Sequence, residues 1–135
     1  MKYIYPAVIT QDDEGFYLAH FHDFDNSAVS CYTDGKNLDE AIDMAQDALN
    51  LALVTLEDDH AEIPKSSNPV KIKLKENEFL TMIKADTIEY RKKTDNKSVK
   101  KTLSIPQWLD TIAQRQKINF SQVLQKALME ECKIK

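Results

Sequence analysis

The sequence has little of several features that would define particular classes of protein. It has only two cysteines, Cys31 and Cys132, which lie far apart, so we expect two reduced thiols and no disulfide framework. No apolar run approaches the length of a membrane-spanning helix. The N-terminus lacks the long apolar core and small-residue cleavage site of a signal peptide, and we therefore expect a cytoplasmic protein that does not contact a membrane.

Recognisable enzyme chemistry is also missing. No serine or cysteine nucleophile is accompanied by a recognisable base and orienting group, so we predict no catalytic residues, no cofactor and no enzymatic activity. A magnesium-dependent nuclease would use carboxylates such as Asp12, Asp13, Glu14, Asp23 and Asp25, but ordinary turns use the same residues. A nuclease is therefore kept only as an alternative, which metal-dependent cleavage by the purified protein would support.

Two of the three histidines are spaced like metal ligands. His20 and His22 lie two apart on a predicted strand, so their side chains point the same way. The sequence offers no identifiable third ligand, and His60 lies far away in a predicted loop. We therefore interpret these residues as ordinary, partly exposed histidines and predict no metal site.

Charge is distributed unevenly along the 135 residues, although the net charge is only −4. Residues 1–90 contain 7 Lys or Arg and 18 Asp or Glu, a net charge of −11, whereas residues 91–135 contain 11 and 4, a net charge of +7. A basic segment can approach phosphate, and an acidic one is repelled by it. The chain is long enough for two small domains, and we predict two modules with different partners.

The first 90 residues predict an α+β domain with an antiparallel sheet and one long helix. Asn37 can cap a helix that begins at Leu38, in which apolar residues recur every three or four positions as far as Leu56. Asp86 is the predicted cap of a short closing helix. The predicted strands are 3–10, 16–21, 28–32, an edge strand at 70–75, and 79–85.

The remaining residues predict a linker and a small domain that cannot fold alone. Residues 91–98 are polar and basic and predict a solvated linker. Residues 99–105 alternate as a strand, Pro106 opens a helix, and Asn119 is the predicted cap of a second helix. One strand and two short helices in residues 99–135 bury too little to fold alone, so we predict a homodimer. Its core would comprise Leu103, Ile105, Trp108, Leu109, Ile112, Val123, Leu124 and Leu128.

The C-terminal motifs resemble ribbon-helix-helix repressors. The string Lys-Lys-Thr-Leu-Ser-Ile-Pro-Gln-Trp-Leu, followed by Ile-Asn-Phe-Ser-Gln-Val-Leu, carries the resemblance over residues 97–132. It implies that a polar strand face reads operator DNA and that the amides opening the last helix bind a phosphate. Lys117 stands near a turn where many members have glycine. The predicted DNA-binding residues are Lys97, Lys100, Thr102, Ser104, Asn119 and Ser121.

The N-terminal motifs, in their order, resemble the HicB antitoxin family. The resemblance implies a reduced ribonuclease H-like domain, without that enzyme's activity, that binds and blocks a small HicA ribonuclease toxin. It also implies repression of the operon that encodes both proteins. One departure is Asp25-Asn26-Ser27, where Pro-Gly-Cys is more usual. The matching segments are Tyr5-Pro6-Ala7-Val8, Gly15-Phe16-Tyr17, Asp23-Phe24, Gly35 followed by Leu38-Asp39-Glu40-Ala41, and Asp86 with Tyr90-Arg91-Lys92-Lys93.

The acidic charge of the first domain suits a basic, RNA-binding toxin, because it can speed the encounter and mimic the phosphates that the toxin displaces. An alternative is a stand-alone repressor whose N-terminal domain senses a small molecule. Ligand-dependent release of the operator without a protein partner would favour that alternative. The sequence leaves open whether dimers associate further. The candidate toxin-binding residues are Asp39, Glu40, Asp43 and Asp47.

Overall fold

A computed structural model of the chain describes residues 1–134, so Lys135, the last residue of the predicted C-terminal domain, lies outside the described residues. The chain divides into two compact units, residues 1–97 and a second unit that begins at Ser98. The first domain was predicted to end at residue 90, before the linker at 91–98. In the structure the first unit also includes residues 91–97 of that linker. With the division at this point the charges become −8 for the first unit and +4 for the second.

A four-stranded antiparallel sheet forms the base of the first unit, with the strand order β3-β2-β1-β4. Strands β1 and β2 are the inner strands, and in β1 Val8 lies opposite His20 on one side and Leu80 on the other. Side chains alternate along a strand, so every second residue of β1 faces the core. The strands are β1 (Lys2–Gln11), β2 (Tyr17–His20), β3 (Tyr32–Gly35) and β4 (Glu78–Asp86).

The long helix α1 (Leu38–Asp58) covers one face of this sheet. The predicted cap is confirmed, because the Asn37 side-chain oxygen accepts a hydrogen bond from the backbone N–H of Glu40 at 2.8 Å. Most of the predicted apolar stripe is buried, but Leu38 at its start is exposed. The shared core comprises Tyr5, Ala7, Ile9, Ala19, Phe21, Phe24, Cys31, Ala45, Leu49, Ala52, Leu53, Leu56, Ile83 and Ala85.

Two predicted strands of the first unit are wrong in position or type. The third strand is Tyr32–Gly35 rather than 28–32, because a 3-10 turn at His22–Phe24 buries Phe24 and delays the return of the chain beside β2. No strand forms at 70–75. Instead, a 3-10 turn begins at Pro69. Asn68 caps this turn, because its side-chain oxygen accepts a hydrogen bond from the backbone N–H of Val70 at 3.1 Å.

The predicted closing helix forms, but it is longer than expected. Asp86 caps α2 (Thr87–Thr94) by accepting hydrogen bonds from two backbone N–H groups of its first turn. Residues 91–94 therefore belong to a helix and not to the predicted linker. The physical reason is Arg91, whose guanidinium donates to Glu57 at 3.2 Å and to Asp58 at 2.9 Å and so ties α2 to the end of α1.

Glu57 joins three elements of the first unit. Its carboxylate also accepts hydrogen bonds from the hydroxyls of Tyr3, at 2.7 Å, and Thr87, at 3.1 Å. Burial alone raises the pKa of Glu57, but the hydrogen bonds from Tyr3, Arg91 and Thr87 outweigh it and hold the pKa below its ordinary value of 4.5. Burial and the hydrogen bond to Glu57 together raise the pKa of Tyr3 to about 12.

Replacing Glu57 with glutamine is expected to lower the free energy of unfolding by about 1–3 kcal/mol at neutral pH, because Arg91 loses the less exposed of its two charged partners. A carboxylate with a depressed pKa contributes stability that is fully present above its unfolded pKa and is lost as the pH falls through its folded pKa. The difference between the wild type and Glu57→Gln should therefore shrink as the pH is lowered below 4.5. Denaturant titrations of both proteins over a series of pH values measure this difference in the free energy of unfolding.

Asp58→Asn is the matched control for this variant. Asp58 contacts the same guanidinium, but its side chain is largely exposed. An exposed ion pair contributes about 0–1 kcal/mol, so Asp58→Asn should unfold almost like the wild type. Equal losses in the two variants would contradict the role assigned to Glu57.

The second unit contains helices α3 (Gln107–Arg115) and α4 (Phe120–Glu131). Between them Lys117 has a left-handed backbone with φ of 54°, and the N–H of Ile118 donates to the carbonyl of Ala113 at 3.1 Å. This hydrogen-bonded end of α3 is one that glycine usually provides, so lysine accepts the left-handed conformation at some cost. The predicted cap of α4 is confirmed, because the Asn119 side chain accepts from the N–H of Gln122 at 3.1 Å.

Residues 95–106 form neither helix nor strand. A strand is defined by its pairing, and the predicted strand at 99–105 would take its partner from a second chain. That strand, and the ribbon-helix-helix domain built on it, therefore stay predictions.

Candidate functional sites

Four carboxylates form an exposed acidic ridge on α1, made of Asp39, Glu40, Asp43 and Asp47. Three of them, Asp39, Asp43 and Asp47, follow at intervals of four residues and so lie in line along the helix. Within residues 1–134 none of the four takes part in an ion pair. The structure thus brings the predicted toxin-binding residues together on one surface.

The acidic ridge is unfavourable for the isolated helix. Like charges four residues apart repel each other, and each such pair costs about 0.2–0.5 kcal/mol. Only Asp39 and Glu40 lie in the first turn, where the helix dipole offsets part of this cost. Two apolar side chains of α1, Met44 and Leu51, lie beside the carboxylates. They are 42% and 56% exposed. A cationic partner with an apolar patch would relieve the repulsion and cover this surface.

The second unit exposes the residues that the sequence predicts as a dimer core. None of residues 98–134 is buried, and even Trp108 is 66% exposed. Leu124 and Ala113 reach only intermediate burial. A folded domain normally buries most of its large apolar side chains, so this unit does not complete a core within one chain.

The predicted DNA-binding residues are all exposed. Lys100, Thr102 and Ser104 lie in the segment without regular structure, and Lys97 is the last residue of the first unit. The Asn119 side chain is engaged as the cap of α4, and the helix begins with Phe120 and Ser121. The Asn119 side chain thus already accepts from one backbone N–H of the first turn of α4, that of Gln122.

One cluster escaped the sequence analysis. Asp25 follows both histidines in the sequence but bridges them in space. Its carboxylate contacts His20 Nε2 at 2.7 Å and His22 Nδ1 at 3.1 Å. The hydrogen bond from His20 is the main cause that lowers the pKa of Asp25 below its ordinary value. The reason given for predicting no metal site, the lack of a third ligand, is therefore wrong. Asp25 follows a 3-10 turn that local sequence patterns did not predict.

The two cysteines differ in environment. Both are free, and Cys31 is buried whereas Cys132 is exposed. Burial raises the pKa of the Cys31 thiol to about 12, so this thiol is chemically inert in the folded unit. Across residues 1–134, no helix combines the length and the apolar character that crossing a membrane requires.

Comparisons with known proteins give the relationships of the chain. The family model described as "HicB_like antitoxin of bacterial toxin-antitoxin system" matches residues 5–128. Among curated protein sequences no match was found. Among solved structures, a chain of the "Toxin-Antitoxin complex from Streptococcus pneumoniae" is 28% identical with a TM-score of 0.60, covering 97% of this chain and 99% of that chain.

Two further structures are similar in fold. The "Antitoxin HicB3 crystal structure" is 24% identical with a TM-score of 0.51, covering 96% of this chain and 97% of that one. A chain of the "HicA3 and HicB3 toxin-antitoxin complex" is 23% identical with a TM-score of 0.50, covering 62% of this chain and 99% of that one. At these identities the similarity concerns the fold alone. Because the family model matches nearly the whole sequence, the chain belongs to the HicB-like antitoxin family of bacterial toxin-antitoxin systems.

Proposed function

We propose that the chain neutralises a small ribonuclease toxin of the HicA type through its first unit and represses its own operon through a ribbon-helix-helix dimer formed by its second unit. The observation that carries the toxin-binding part is the acidic ridge, an exposed row of carboxylates without ion pairs in a unit of net charge −8. The relative from Streptococcus pneumoniae, described as a toxin-antitoxin complex, supports the same partner class.

The acidic ridge matches the chemistry of such a toxin. A protein that binds RNA must present positive charge to phosphates, and a row of carboxylates can occupy the same surface. Complementary charge also speeds the encounter of the two proteins and disfavours acidic partners. The exposed Met44 and Leu51 beside the carboxylates add apolar contact area to the charge. No catalytic role is assigned to the chain.

The double variant Asp43→Lys/Asp47→Lys is expected to weaken binding of the basic protein encoded beside this chain by about tenfold or more, mostly through slower association at low salt. Biolayer interferometry over a salt series measures the rates. Asp13→Lys/Glu14→Lys is the matched control, because it changes net charge equally at exposed residues of the turn between β1 and β2, outside α1.

The two double variants test the location of the toxin-binding site separately from the antitoxin function. Equal affinity of the ridge variant and the wild type would remove the acidic ridge from the interface but leave the antitoxin function standing. Equal weakening by both double variants would indicate a general charge effect. If the unaltered chain fails to bind the neighbouring gene product or to suppress its toxicity, the antitoxin function itself is contradicted.

Repression is proposed for the second unit because its apolar residues need a partner copy. Pairing residues 99–105 with the same segment of another chain would make a two-stranded ribbon, cover the apolar side with α3 and α4, and leave Lys100, Thr102 and Ser104 on the other side. Lysine and hydroxyl side chains can donate to base edges in the major groove. The start of α4, near Asn119 and Ser121, would bind a backbone phosphate, and Lys97 would add positive charge.

A further inference from the structure

The end of β2 carries a compact group of three potential metal ligands. His20 is the last residue of β2, and the 3-10 turn that follows holds His22 at its start and leads into Asp25. One ligand atom from each residue can be chosen so that all three lie within 4.8 Å of one another. The two imidazole rings are in contact, with centroids 3.9 Å apart and planes tilted by 35°. The group belongs entirely to the first unit and takes no part in the acidic ridge.

The backbone that carries these three side chains is anchored on the core side. Phe21 and Phe24, which alternate with the ligands, are fully buried, and the Phe24 ring packs on Tyr5 with centroids 5.0 Å apart. On the outer side, Asp23 accepts a hydrogen bond from the backbone N–H of Ser67 at 2.9 Å. The backbone that carries the three side chains is therefore already fixed by packing. Ion binding would have to order only the side chains, which keeps its entropic cost small.

The geometry suits a small tetrahedral ion. Zn²⁺ takes imidazole nitrogens and carboxylate oxygens at about 2.0–2.2 Å, which places neighbouring ligand atoms roughly 3.3 Å apart. The nitrogens of His20 and His22 already lie 2.7 and 3.1 Å from oxygens of Asp25. Rotations about side-chain bonds would exchange these two hydrogen bonds for bonds to the ion.

The chemistry of the three ligands selects the class of ion. Two imidazoles with one carboxylate favour Zn²⁺ and neighbouring transition metals, whereas Mg²⁺ and Ca²⁺ prefer ligands that are all oxygen. The three side chains are each about half exposed, so an ion can enter from solvent. His22 also lines an open groove of about 340 Å³ on the outer side of the sheet, beside Pro6 and Val8.

We propose that His20, His22 and Asp25 form a binding site for one divalent cation of the Zn²⁺ class on the first unit. The three protein ligands leave the fourth tetrahedral position to water. Binding joins the end of β2 to the 3-10 turn through three side chains, and it stabilises the folded first unit because the unfolded chain does not hold the ligands together.

The test is a calorimetric titration of the full chain, without a histidine tag, with Zn²⁺ and separately with Mg²⁺. We expect one Zn²⁺ per chain and no saturable binding of Mg²⁺. Both His22→Ala and Asp25→Asn should weaken Zn²⁺ binding by about tenfold or more, because two ligands hold the ion far less well than three. His60→Asn and Cys132→Ser are the matched controls and should bind like the wild type.

A second measurement guards against variants that merely unfold. The three side chains are exposed enough that the variants should melt like the wild type without metal. Zn²⁺ should raise the melting temperature of the wild type and of both controls, and it should raise that of His22→Ala and Asp25→Asn clearly less at the same Zn²⁺ concentration. Unaltered Zn²⁺ affinity in His22→Ala or Asp25→Asn would overturn the proposal. So would loss of binding in either control, or the absence of saturable binding by the wild type.

Discussion

Gly35→Ala is expected to lower the free energy of unfolding of the first unit by about 3 kcal/mol or more, or to prevent its folding. Gly35 is the last residue of β3, where the strand lies against the first turn of α1. A Cβ at this position would stand 2.4 Å from the backbone nitrogen of Ala41 and 2.6 Å from its Cα. Backbone atoms in a helix cannot move aside as a flexible side chain can, so the strand and the helix would have to separate.

The five tyrosines all lie in residues 1–90, so their near-ultraviolet circular dichroism follows the first unit during denaturation. Gly15→Ala is the matched control, because a Cβ there would meet nothing closer than 3.9 Å, although φ is +91°. That variant should lose only about 1–2 kcal/mol, the cost of a left-handed backbone at a residue other than glycine. Wild-type stability of Gly35→Ala would contradict the close packing of β3 against α1.

Ile112→Asp is expected to convert the predicted dimer to monomers, weakening association by about a hundredfold or more, because an unpaired carboxylate in an apolar interface costs several kcal/mol. Within one chain the Ile112 side chain is 45% exposed. The substitution should therefore change the stability of the second unit of a single chain little. Sedimentation equilibrium measures association. Fluorescence anisotropy with DNA from upstream of the operon measures operator binding, which should fall with dimerisation.

Val70→Asp provides the same chemical change in the first unit, at a side chain that is 89% exposed. It should leave both association and DNA binding as in the wild type. Trp108, the only tryptophan, reports on the second unit by its fluorescence, since its surroundings change when the apolar side chains are covered. A wild-type chain that is monomeric, or an Ile112→Asp chain that dimerises normally, would contradict the proposed ribbon.

The sequence predicted best those features that depend on neighbouring residues. The caps Asn37, Asp86 and Asn119 form as expected, since a cap needs only its side chain and an amide two or three residues later. The acidic ridge also follows directly from helical spacing. Residues 28–32 and 70–75 misled the strand prediction because alternation does not tell whether a partner strand lies alongside.

The linker prediction failed for a related reason. Arg91 to Thr94 are polar and basic, which is typical of a solvated tether, but the stability of α2 depends on contacts with the end of α1. Local composition carries no information on Glu57, which is distant in sequence and is brought to Arg91 only by folding. The Asp25 carboxylate was assigned to a solvated turn for the same reason.

Several features followed from the sequence alone: the antiparallel sheet with one long helix, the starts of the three helices capped by Asn37, Asp86 and Asn119, the opposite charges of the two parts, and the surplus of apolar side chains after residue 98. These properties arise from periodicity, capping and composition, which act over a few residues. Only the tertiary structure decided that Gly35 must be a glycine, that Glu57 gathers three hydrogen-bond donors, and that Asp25 meets two histidines. Such contacts depend on how whole elements pack, and a local pattern does not encode the distance between them.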